Sequence, residues 1–173
     1  MSLILLVDSV HTELAVALIR DESAQFMVHG VQREHDKNIN KLAVDLLAKE
    51  GVTFADLDAF AVVVGPGSWT GCRVGAAAVK GWAFACPKPV VAINSLDCIG
   101  DPSAIRSNLD NYYIKRGNKY TCEKLQSTEG FATIESVGIE GYRARLVSSV
   151  KSGKRISAKE LQPFYLADFK IGN

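Results

Sequence analysis

Residues 3–7 form an unbroken apolar run of strand length that ends on Asp8. A run without alternation is what a strand covered on both faces requires. A second apolar run, residues 14–19, closes on Arg20-Asp21-Glu22-Ser23, and residues 25–30 form a weaker third. The spacers between them are too short for a crossover helix, so the three read as an antiparallel meander with the first strand at or near its centre. After Asp36 the period changes. Ile39, Leu42, Ala43, Leu46 and Leu47 fall at helical spacing and predict a helix over 36–50, ended by Gly51. Residues 59–64 are a β-branched run that feeds a glycine-rich turn. An alanine- and glycine-rich helix is predicted over 70–85, stopped by Pro87 and Pro89, and residues 90–93 give another buried strand. Strand, helix and strand imply a parallel crossover beside the meander, so residues 1–100 read as one α/β lobe of order βββαβαβ.

Past Ser95 the pattern weakens. Residues 101–108 read as a linker or frayed helix, and the boundary between lobes 1–100 and 101–173 is placed there. Residues 112–115 and 119–123 flank Arg116-Gly117-Asn118, a hairpin connection, and residues 132–137 and 143–150 read as two more strands. A short helix capped by Ser157 and a last strand at 164–166, after Pro163, complete a second lobe expected to be small and mostly β.

Composition narrows the function classes. The chain has 173 residues, enough to bury a core, with 47% hydrophobic and 23% charged residues. Its net charge of +1 gives no electrostatic case for a primary nucleic-acid binder. The charge is uneven: residues 1–100 carry 8 Lys/Arg against 11 Asp/Glu, and residues 101–173 carry 12 against 8. That leaves RNA contact as a minor reading beside a solvated face. Cys72, Cys86, Cys98 and Cys122 lie far apart without a Cys-x-x-Cys pair, so no zinc or redox motif is indicated. The apolar start lacks a basic flank and meets Asp8 after a strand's length, so neither a signal peptide nor a membrane helix is expected, and the compartment is expected to be cytoplasmic.

The candidate chemistry centres on Gly65-Pro66-Gly67-Ser68-Trp69-Thr70-Gly71, which joins a buried strand to a helix N-terminus. Free N–H groups and the helix dipole at such a place can hold an anion. No Gly-Lys-Ser/Thr ends the run, and Thr70 stands where the dinucleotide fingerprint needs its third glycine. The competing reading is structural: Gly65 and Gly67 permit unusual backbone angles, and Gly71 and Gly75 let another backbone approach.

The same stretch, extended through Cys72-Arg73-Val74-Gly75, resembles the Gly-Pro-Gly-Ser-Phe/Trp-Thr-Gly-x-Arg-x-Gly motif of the TsaB family. Leu46-Leu47, Leu57-Asp58-Ala59, Lys80-Gly81, Pro89-Val90-Val91 and Ser95-Leu96 match in order and spacing, so the resemblance covers much of residues 1–100. Asp110-Asn111-Tyr112-Tyr113 and Pro163-Phe164-Tyr165-Leu166 resemble the opening and closing strands of the family's second lobe, with the part between shortened. The resemblance implies an actin-like (ASKHA, RNase H-like) fold and a non-catalytic role beside TsaD, which transfers the threonylcarbamoyl group to adenosine in tRNA. It further implies a TsaE-like ATPase as an additional partner, a homodimer in isolation, indirect contact with tRNA, and ATP or ADP at the interface of the complex.

Individual residues are read within that frame. Asp8 sits where actin-like ATPases keep an acid for metal and phosphate, although Ser9-Val10-His11 departs from the family's Asp-Thr-Ser-Thr. Asp8, Gly65, Gly67 and Ser68 are therefore the nucleotide candidates, with turn formation as the alternative for Asp8. His35 stands where the related catalytic subunit begins a His-x-x-x-His pair, but the second position is Ile39, so no metal site is expected and His35 reads as a capping or interface residue. Asn40, Val44 and Ala48 form a second helical face, and with His35, Trp69, Arg73 and Gly75 they are the partner-binding candidates. Arg73, in the first turn of its helix, opposes the dipole and calls for a partner carboxylate or internal acceptors. Two other readings stay open: an actin-like phosphotransferase or glycoprotease-like enzyme, for which no nucleophile, base and electrophile set is visible, and a drifted homodimeric structural protein.

Overall fold

The computed structural model describes residues 2–21, 23–30, 34–108 and 110–166. Three strands, β1 (Leu3–Asp8), β2 (Leu14–Arg20) and β3 (Ser23–His29), form the anticipated antiparallel meander. Helix α1 (His35–Lys49) leads to β4 (Ala59–Gly65), which pairs parallel to β1, and α2 (Trp69–Ala85) leads to β5 (Val90–Asn94), parallel to β4. The sheet runs β3-β2-β1-β4-β5-β9, where β9 (Arg155–Ile156) adds antiparallel to β5. β1 is central, as its unalternating apolar run requires.

Alternation along β1 divides two cores. Leu5 and Val7 point to the face covered by α1 and α2, where they meet Ile39, Ala43, Leu46, Val79 and Ala83. Ile4 and Leu6 point to the other face, against Tyr142, Leu146 and Val150. Those three come from α4 (Ile139–Ser152), so the chain after residue 100 supplies the second cover of the first sheet. Each fully buried leucine there contributes roughly 1.5–3 kcal/mol relative to exposure.

Five readings of residues 101–166 are corrected. Residues 101–108 are not a linker: Ser103–Asn108 is β6, and it forms a second sheet with β7 (Asn111–Arg116) and β8 (Lys119–Lys124). Residues 132–137 and 143–150 are not strands. The first begins α3 (Ile134–Val137), nucleated by reciprocal bonds between Thr133 and Ser136, and the second lies within α4. The run Arg143-Ala144-Arg145-Leu146 imitates period 2, but Tyr142, Leu146 and Val150 at i, i+4 and i+8 are the stripe that the sheet buries. At Ser157 the cap forms without a helix: Glu160 accepts from Ser157 N at 2.9 Å and Oγ at 2.7 Å around a single turn. Residues 164–166 make no strand; Phe164 N donates one bond to Val64 O at 2.9 Å.

Candidate functional site

The C-terminal ends of β1 and β4 carry the turn 9–13 and the glycine loop 65–68, and these pack against each other. Ser9 is fully buried; its hydroxyl donates to Gly71 O at 2.8 Å, while Ser68 N donates to Val10 O at 2.8 Å. A Cβ at Gly67 would lie 2.6 Å from Val10 O, one at Gly71 would overlap Ser9 O, and one at Gly75 would overlap Ser9 Oγ. Gly65 has φ +106°, a left-handed conformation that favours glycine. Ser68 caps α2 by accepting from Gly71 N at 3.1 Å. Of the two readings of the loop, close packing is the one its geometry fulfils: the Ser68 and Gly71 amides are spent on the protein itself.

Above this loop opens a cleft of about 1170 Å³, walled on the far side by Ile105, Arg106 and Tyr113 of the second sheet. His35, Gly67, Ser68 and Trp69 line it, so four of the expected site residues converge there. His35 is clamped to the turn, with Nδ1 3.3 Å from Ser9 O and Nε2 3.4 Å from Thr12 O. Trp69, 37% exposed, stacks on Tyr165 at 4.3 Å between ring centroids. The Arg73 guanidinium lies 5.6 Å over the Trp69 ring, a third answer to its placement beside carboxylate and carbonyl.

Asp8 is separate from the cleft. Its carboxylate, 5% exposed, accepts from Val10 N at 3.2 Å, the turn-forming role, and lies on the face of the sheet that α4 covers. There it meets Tyr142, whose phenol burial and the nearby Asp8 charge hold well above its ordinary range. Asp97, within the 3₁₀ turn 95–98, accepts from Tyr120 Oη at 2.7 Å and pairs with Lys115 at 3.0 Å; burial first, then this carboxylate, raises the Tyr120 phenol. These contacts fasten the second sheet to the first.

Three further candidates fall on the outer face of α1. Asn40, Val44 and Ala48 are exposed along α1, with Val44 at 54%, and Trp82 of α2 donates to Asn40 Oδ1 at 3.0 Å. Phe84 of α2 is also 54% exposed, a residue that the sequence analysis passed over. Its signal was an aromatic off the buried stripe of α2. Gly75, expected toward a partner, is buried against Ser9 and reaches no surface. His11 and Tyr142 were missed as well, since their proximity is created by α4, which the sequence presents as a strand. Among the described residues no group of three or more His, Cys, Asp and Glu side chains is placed to hold a metal ion. Nor is any described helix long and apolar enough to cross a membrane.

A family model described as TsaD, tRNA N6-adenosine threonylcarbamoyltransferase, matches residues 28–108. The chain is 36% identical over 93 residues to the tRNA threonylcarbamoyladenosine biosynthesis protein TsaB of Haemophilus influenzae, a match spanning 54% of this chain and 39% of that protein. Its Escherichia coli counterpart is 31% identical over 93 residues, spanning 54% and 40%. The chain thus spans well under two thirds of the curated relatives it matches. Two solved Pseudomonas aeruginosa structures, YeaZ and a protein described as similar to the peptidase YeaZ, superpose with TM-scores of 0.74 and 0.78 at 21% and 20% identity. Each covers 96% of this chain and is itself covered in full.

Proposed function

We propose that the chain, similar in sequence to TsaB proteins and in fold to the YeaZ structures, is a non-catalytic partner subunit of a TsaD-like transferase in threonylcarbamoyladenosine modification of tRNA. The observation that carries the reading is the division of labour on the first lobe. The glycine loop packs closely on Ser9 and Val10 and gives its Ser68 amide to Val10 O, while α1 and α2 leave Val44 and Phe84 more than half exposed on one side of the sheet. Scattered exposed apolar residues are ordinary, but two large ones on adjoining helices with small neighbours, Ala48, Ala77 and Gly81, suit a helix-packed interface.

In this reading the partner supplies the chemistry. ATP or ADP is held at the interface of the complex, not by the glycine loop alone, and tRNA is reached through the partner. The same helical face closes a homodimer when TsaD is absent, and a TsaE-like ATPase joins the pair. Mixing the purified chain with the TsaD-like subunit of the same genome, and weighing the product by light scattering with and without ATP, tests it. A stoichiometric heteromer lost on Val44→Asp is expected. Only homodimer at every concentration would overturn the reading.

A further inference from the structure

On the α4 side of the first sheet, bordering the cleft through His11, Thr12 and Ile134, lies a pocket of about 70 Å³ walled by Asp8, His11, Glu13, Phe26, Tyr142 and Arg143. Two of its polar atoms, His11 Nε2 and Tyr142 Oη, are buried and make no hydrogen bond of full geometry among the described residues, although the Asp8 carboxylate stands close enough to Tyr142 Oη to hold its proton. Tyr142 is only 1% exposed, and its ring meets that of His11 edge to face at 5.0 Å. Leaving such atoms unpaired is costly, so each asks for a partner.

The third polar wall is the Asp8 carboxylate. It is 5% exposed and takes part in no ion pair among the described residues. Arg143 is the cation at this pocket, but it is committed to Glu13 at 3.3 Å and Glu140 at 3.1 Å, and it lies 5.3 Å over the Phe26 ring. A buried carboxylate without its own counter-charge favours a positive guest.

These walls select the chemistry. An anion meets Asp8, and an apolar guest leaves both lone atoms unpaired. The volume of about 70 Å³ corresponds to roughly two waters at ~30 Å³ each, too small for a sugar or a nucleotide. An alkali ion prefers oxygen ligands, whereas His11 in its Nδ1–H tautomer offers a nitrogen lone pair, which an N–H donor satisfies. We propose that the pocket binds an ammonium head group, either the ammonium ion or the tip of a primary amine. The N–H donors reach Asp8, Tyr142 Oη and His11 Nε2, and the stem of an amine leaves between Phe26 and the exposed Ile139 at the rim.

The test uses the isolated chain, so it is independent of any partner subunit. The ¹⁵N resonance of His11 Nε2 is followed while ammonium chloride, methylammonium chloride, potassium chloride and tetramethylammonium chloride are added at constant ionic strength. A saturable shift with the first two salts and none with the last two is expected. Methylammonium acting as well as ammonium identifies an amine site; ammonium acting alone restricts it to the free ion. Asp8→Asn weakens the binding by about 10- to 100-fold, and Tyr142→Phe by about 5-fold. A shift equal with all four salts, or no saturable shift at all, overturns the proposal and leaves water as the occupant. Should Asp8→Asn fail to fold by circular dichroism, the comparison of salts on the unmodified chain decides alone.

Discussion

Two stretches of the first lobe carry opposite signatures. Around the glycine loop, Gly67, Gly71 and Gly75 are fixed by the Ser9–Val10 backbone and the Ser9 hydroxyl, leaving no room even for a methyl group. Along the outer stripe of α1 and α2, Asn40, Val44, Ala48 and Phe84 stand exposed with room for any side chain. The loop is the conspicuous feature of the sequence, yet its singular composition records a steric demand. The helical face is inconspicuous, and it shows only as apolar residues left over once the core period is accounted for. The comparison predicts that the loop controls stability and the face controls association.

The largest effect is expected at Gly71. Its Cβ would overlap a backbone carbonyl, Ser9 O, which cannot swing away as a side chain can. Gly71→Val should therefore cost about 3 kcal/mol, the upper end for overpacking. In a chain of this length that lowers Tm by about 6–12 °C, read in a thermal melt. A melt within two degrees of the parent, about the effect of 0.5 kcal/mol, would break the comparison at its first term.

Next comes the face. Val44→Asp and Phe84→Asp should each weaken the heteromer by about 2 kcal/mol, roughly 30-fold in Kd, as for a central interface residue. Both sites are more than half exposed, so stability should stay within about 0.5 kcal/mol. Calorimetric titration against the TsaD-like subunit measures the first quantity and urea unfolding the second. Loss of both together would show that the face is part of the fold rather than a free surface.

A smaller effect separates cap from ligand at Ser68. Its Oγ accepts from Gly71 N at 3.1 Å, so Ser68→Ala should cost about 1 kcal/mol of stability by urea unfolding. Nucleotide added to the isolated chain should leave the melts of parent and variant unchanged. A nucleotide-dependent rise in the parent alone would return the hydroxyl to ligand binding.

The elements legible in sequence were those whose period matches their environment. β1 reads correctly because an unalternating run can only be buried on both faces, and α1 because Ile39, Ala43, Leu46 and Leu47 mark one stripe. α4 was misread because its buried residues are sparse and its arginines, Arg143 and Arg145, fall at alternate positions. With α4 unseen, the approach of Tyr142 to Asp8 and His11 had no local signal. β9 is two residues long and exists only as a partner of β5, so nothing in its own sequence could announce it. At the site, His35 and Trp69, read as facing a partner, line the cleft, whereas Gly75 is buried because helical position alone does not tell which side meets the turn.

The cysteines sample both buried and exposed environments. Burial pushes the Cys72 and Cys98 thiols up to about 11 from an ordinary 9.0, while Cys122 is exposed on β8. The sign follows from which state ionises first. Below pH 9.0 the two thiols are neutral folded or unfolded, and their contribution to stability is fully present. As the pH rises toward about 11 the unfolded chain ionises first, so that contribution is progressively lost and the midpoint of urea unfolding falls. Replacing Cys72 and Cys98 by Ala should flatten the fall over that interval. Reactivity gives the same division at about pH 8, where thiolate is the attacking form. Iodoacetamide followed by mass spectrometry should find Cys122 modified in the native chain, with Cys72 and Cys98 reacting only in denaturant. Native alkylation of Cys72, which packs under Gly65, would mean that the glycine loop opens on the timescale of the reaction, and the rigid half of the comparison would fail.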